Sequence, residues 1–138
     1  MKRAWATLAL TAIVAVLVAS SGCGSADAVA TETTVAMHFS RFSAATDTVR
    51  AGVPVTITLR NDDPIDHEWI VGTPDVHATH RTGTEPVHAT QPTEVTVPAL
   101  STRVTTITFE EAGEYTYICH LPGHEAYGMV GTLRVVDG

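Results

Sequence analysis

Lysine is all but missing: the 138-residue chain has one, at position 2, so that seven arginines carry nearly all the positive charge against fifteen acidic residues. A formal charge of −7 leaves no basic face for a phosphate backbone, and nucleic acid is not an expected partner. Cysteine is nearly as scarce, with two residues at positions 23 and 119, so a multi-bridge disulfide framework is excluded. Three methionines, one of them the initiator, rule out a methionine-rich metal tract. The longest apolar run, residues 4–19, falls short of the roughly 20 residues that a membrane-spanning helix needs. Beyond that run, no segment carries a convincing helical stripe.

What is present begins with an export signal. Lys2 and Arg3 precede the apolar run, and small residues follow it, the order of a signal peptide over residues 1–22. Its end, "ASSGC", resembles the lipobox of bacterial lipoproteins, which implies a lipid anchor on Cys23. The expected location is the extracytoplasmic side of the membrane, lipid-anchored there, or the periplasm or medium. Residues 23–33, "CGSADAVATET", are small and polar and read as a lipidated or flexible tether. Residues 34–138 are expected to form one domain, a monomer whose only membrane contact would be the anchor at Cys23. Without the signal, six arginines face fifteen acids, a formal charge of −9.

Within the domain, short runs rich in Val, Thr, Ile and aromatics are separated by Gly, Pro and Asp. Strands are expected at 34–43, 53–61, 67–72, 93–100, 103–110, 113–119 and 129–136. Val53, Val55, Ile57 and Leu59 share one face of their run, with Pro54, Thr56, Thr58 and Arg60 on the other. About seven such strands in so short a chain point to an all-β fold, a Greek-key antiparallel β-sandwich. Residues 73–92 fit no strand and read as a long loop holding His77, His80 and His88. Scattered loop histidines are ordinarily solvated; a second metal site is the alternative reading.

The stretch "YICHLPGHEAYGM" (117–129) gathers Cys119, His120, His124 and Met129. Alternation through "GEYTYIC" puts Tyr115, Tyr117 and Cys119 on the inward face, and the turn residues Leu121–Gly123 bring His124 back toward the sulfur. In an oxidising compartment a lone thiol at 119 is exposed to oxidation unless it is buried or bound. One loop seldom completes a four-donor site, so a further ligand is expected from elsewhere. His67, at the start of the apolar run after "NDDPID", is the candidate. Two imidazoles and a thiolate with a weak thioether suit copper cycling between Cu(I) and Cu(II). Zinc gains little from a thioether, and calcium and magnesium want oxygen donors.

These residues together, "GEYTYIC" leading into C-x4-H-x4-M, the "GMVGTLRV" ending and "AGVPVTITLRNDDPIDH", resemble the cupredoxins, small blue (type 1) copper proteins of the plastocyanin and azurin kind. The resemblance covers residues 34–137. It implies His67, Cys119, His124 and Met129 as ligands of one copper ion, and one-electron exchange with a redox partner protein through His124. Family members often have asparagine directly after the upstream histidine, where this chain has Glu68. His120 follows Cys119 as in multicopper oxidases, but residue 118 is isoleucine, so a trinuclear site is not implied. The expected function is electron transfer rather than enzymatic catalysis, with capture or delivery of copper as the alternative.

Overall fold

The computed structural model describes residues 29–43, 48–83 and 91–138. Eight strands and one helix follow one another: β1 (Glu32–Met37), β2 (Thr48–Arg50), β3 (Pro54–Asn61), β4 (His67–Gly72), α1 (Pro74–Thr82), β5 (Glu94–Val97), β6 (Thr102–Thr108), β7 (Gly113–Ile118) and β8 (Val130–Val136). They form two sheets, one ordered β1-β3-β6 and the other β2-β8-β7-β4-β5. The chain passes between sheets at most connections, as a Greek-key sandwich requires.

Period two accounts for the core. Val55, Ile57 and Leu59 of β3 face inward against Val35 and Met37 of β1, Trp69 and Val71 of β4, and Leu133 and Val135 of β8. Tyr117 and Cys119 continue the inward row of β7, with Tyr115 packed at its edge. Tyr117 pairs with Gly131 across β7 and β8. A β-carbon at Gly131 would fall on the Tyr117 ring, so only glycine leaves the ring room to reach the core.

Three features differ from expectation. First, the sandwich is not wholly antiparallel, because β1 runs parallel to β3 and β2 parallel to β8. Alternation fixes which face is buried but is silent on the direction of the neighbouring strand. Second, residues 29–33, expected in the tether, already belong to the fold. Val29 bridges Thr48, the Ala30 N–H donates to the Thr48 carbonyl at 2.8 Å, and β1 starts at Glu32. The signal segment and Cys23 lie outside the described residues.

Third, part of the expected 73–92 loop is the helix α1. Pro74 sits in its first turn, and Gly83 ends it in the left-handed conformation at φ 66°, donating to the His80 carbonyl. Its buried positions are His77 and His80 rather than Leu or Val, so the apolar stripe that marks a helix is absent. The two histidines expected in solvent are therefore buried, and His88 lies outside the described residues. Among the described residues, no helix is long and apolar enough to cross a membrane.

Candidate metal centre

Strand pairing brings distant residues together at one end of the sandwich. β4 and β7 are antiparallel, with Ile70 opposite Ile118, so His67, three residues before Ile70, lies beside the residues just past the end of β7. β7 and β8 are also antiparallel, with Ile118 opposite Val130, which sets Cys119 across from Met129. The loop between them is tied by its own backbone. Cys119 N–H donates to the Met129 carbonyl (3.2 Å), Met129 N–H to the His124 carbonyl (3.0 Å), and His124 N–H to the Leu121 carbonyl (3.0 Å). The eleven-residue spacing from Cys119 to Met129 is thus the length of one closed hairpin loop.

The donor atoms converge. His67 Nδ1 lies 3.2 Å from His124 Nδ1, and Cys119 Sγ lies 3.2 Å from the same His124 Nδ1. One ligand atom from each of the three residues falls within 4.8 Å of the other two. His67, Cys119 and Met129 are fully buried, while His124 is half-buried. Met129 stands in the core beside Cys119.

Asp63, which sequence reasoning passed over, organises this end of the molecule. Its Oδ2 lies 2.8 Å from His67 Nε2. A carboxylate only accepts, so the His67 proton sits on Nε2 and the lone pair on Nδ1, facing His124 and the sulfur. The same carboxylate accepts the N–H groups of Phe39 (2.7 Å) and Ser40 (2.8 Å). Those two residues have positive φ, 54° and 52°, a conformation costing about 1 kcal/mol each for non-glycine residues, and the carboxylate holds them in it. Asn61 fixes Asp63 in turn, accepting its N–H at 2.9 Å and donating to the carbonyls of Ile65, Val97 and Pro98. The signal in the sequence was Asp63 four residues before His67, inside a turn-forming "NDDP".

Local chemistry favours a cation among these atoms. Burial pushes the Cys119 thiol above its ordinary value, although the N–H groups of Glu68 and Leu121 pull the other way. Burial pushes His124 below its ordinary value, and His67 adds to that, with Asp63 opposing. Burial would raise Asp63, yet the Ser40 and Phe39 N–H groups together with the His67 ring hold it below the usual carboxylate range. Imidazole nitrogens that face a buried sulfur fit a soft or borderline metal ion in place of the thiol proton. The donor set, two imidazole nitrogens and a sulfur with a thioether alongside, fits copper better than the oxygen-seeking ions. The Glu68 N–H, not its side chain, donates to Cys119 Sγ at 3.3 Å. Glutamate in place of asparagine therefore leaves that hydrogen bond in place.

Comparison with known proteins agrees with the geometry. The family model for copper binding proteins of the plastocyanin/azurin family matches residues 28–136. The copper-resistant cuproprotein CopI of Rubrivivax gelatinosus is 34% identical over 98 residues, 69% of this chain and 59% of that protein, so the match stops well short of the relative's full length. Reduced auracyanin from Roseiflexus castenholzii superposes with a TM-score of 0.66 at 22% identity, covering 79% of this chain and 99% of that one. Auracyanin A of Chloroflexus aurantiacus, a "blue" copper protein, gives a TM-score of 0.59 at 26% identity over 76% of this chain and 98% of its own.

Proposed function

Because this chain belongs to the plastocyanin/azurin family of copper-binding proteins, we propose that it is an exported, lipid-tethered carrier of single electrons, with His67, Cys119, His124 and Met129 as the copper ligands. Copper bound there supplies a Cu(I)/Cu(II) couple. The observation that carries the proposal is the convergence of the donors: one ligand atom from each of His67, Cys119 and His124 stands within 4.8 Å of the other two, on residues that strand pairing and loop hydrogen bonds fix in place. A frame that holds its ligands in advance keeps rearrangement small when an electron arrives or leaves, which is what a carrier needs and a catalyst with a substrate pocket does not.

Each residue has a part. His67 is fixed through Asp63, and Cys119 accepts the Glu68 N–H, so neither is free to follow a change in charge. His124 alone reaches toward solvent, ringed by the half-buried Leu121 and the exposed Pro122, Ala126 and Tyr127. That apolar rim suits brief docking of a redox partner protein over the His124 edge. The acidic surface favours a partner with a basic face.

Copper capture or delivery is the second reading. It is favoured by the likeness to a copper-resistant cuproprotein. Stopped-flow electron exchange with a small basic cytochrome, set beside the rate at which copper passes to a competing chelator, separates the two. The carrier reading expects exchange in milliseconds to seconds and copper retained for hours. Slow exchange with rapid loss of copper would reverse the assignment.

A further inference from the structure

On the outer face of the five-stranded sheet, three other imidazoles meet. Thr116, Ile118 and His120 alternate with Tyr117 and Cys119, so the residue after the copper-ligand cysteine turns outward, beneath α1. α1 lays His77 and His80, about one turn apart, over the same place. His77 Nδ1 lies 3.0 Å from His120 Nε2. The His80 ring stacks on the His120 ring with centroids 5.3 Å apart and planes inclined at 20°. All three are shielded from solvent: His77 is 2% and His80 9% exposed, and the His120 side chain 6%.

Each ring is held from behind. His77 donates Nε2–H to the Thr116 carbonyl at 3.1 Å, and His80 donates Nδ1–H to the Val76 carbonyl at 2.8 Å. A carbonyl only accepts, so in the neutral rings the lone pairs fall on His77 Nδ1 and His80 Nε2. His120 turns its Nδ1 toward Glu125 Oε2 at 3.7 Å. The copper-ligand pair has the same pattern, with His67 and His124 nitrogens 3.2 Å apart and the far side of His67 on Asp63 at 2.8 Å. Donation of the opposite ring N–H to a carbonyl or carboxylate is the arrangement that accompanies metal-bound histidine, and it leaves the facing nitrogens free to converge on an ion. Valine or leucine would seal the helix onto the sheet without desolvating three imidazoles.

We propose that His77, His80 and His120 hold a second transition-metal ion, a divalent ion that prefers imidazole, such as Cu(II) or Zn(II). His77 Nδ1 and His120 Nε2 supply the first two donors; His80 Nε2, which stands farther off, becomes the third when its ring gives up the Val76 carbonyl and turns toward them. The proton now shared between His77 and His120 moves to His120 Nδ1, where Glu125 accepts it, so the cluster need not lose a proton to take the ion. The surrounding charge favours a cation. Glu125 and Glu94, the latter 3.9 Å from His80 Nε2, outnumber Arg81, which Glu125 already engages at 3.0 Å. Three imidazoles select against calcium and magnesium. An open cleft lined by His80, Arg81, His120, Leu121, Pro122 and Glu125 gives the ion a way in.

The test is zinc titration of the full chain already holding one equivalent of copper, followed by calorimetry and by X-ray absorption at the zinc edge. One further equivalent should bind, with the imidazole scattering of at least two rings and the visible copper band unchanged. His77→Gln and His80→Gln should each weaken that second step about tenfold or more while keeping the copper band, which also reports that each variant has folded. A chain that takes no second equivalent, zinc ligated only by oxygen, or variants that bind zinc as tightly as the parent would each overturn the proposal.

Discussion

At the scale of single residues, the copper site depends on a few atoms whose roles can be separated. Cys119→Ser should abolish the intense thiolate-to-copper visible band, and Met129→Leu should keep the band while raising the reduction potential; absorption and voltammetry read the two. Glu68 makes a sharper case, because its contact with the sulfur runs through the backbone N–H. Glu68→Gln should leave the band in place and raise the potential, since the carboxylate's negative charge near Cys119 is lost while the hydrogen bond stays. A band that moves as far as it does on losing a ligand would contradict this. Asp63→Ala removes the acceptor of two backbone N–H groups and of His67 together. It should lower unfolding free energy by about 2 kcal/mol in a urea titration, the cost of a lost charged acceptor at a buried site.

At the scale of elements, β7 and β8 pack with little tolerance where Gly131 meets Tyr117. Gly131→Ala places a methyl against the Tyr117 ring. The urea midpoint should fall by the equivalent of about 1–3 kcal/mol, the usual cost of overpacking. This hairpin and β3 were also the most legible parts of the chain, because Val55, Ile57 and Leu59, or Tyr117 and Cys119, repeat with the period of a strand. The convergence of His67, Cys119 and His124, the proposed copper ligands, was legible for a related reason: hairpin register fixes the distance from Cys119 to Met129, and "NDDPIDH" ends where a strand begins. β2, with three residues, is too short to show a period. α1 was hidden because histidine occupies the positions that face the sheet. Asp63 was hidden because its importance lies in which atoms it reaches, Phe39 and Ser40 among them, and spacing along the chain does not report that.

At the scale of the whole molecule, copper held at the proposed site would join β4 to the β7–β8 loop, two parts of the same sheet that the chain enters about fifty residues apart. Its removal should therefore be felt globally. Metal held at about a thousand times its dissociation constant adds about 4 kcal/mol to the folded state. Thermal unfolding of the copper-loaded protein should then come about 10 °C or more above that of chelator-treated protein. Equal midpoints would mean that the ligands do not close on copper as a group. The alternation of β7 has a consequence of another kind. In its last residues, odd numbers belong to the interior and even numbers to the exterior, so parity alone assigns the thiolate and the adjacent imidazole to opposite sides of a wall one strand thick. A single residue gained or lost between Gly113 and Ile118 would exchange their addresses, delivering imidazole where sulfur is needed, with no change in the identity of either.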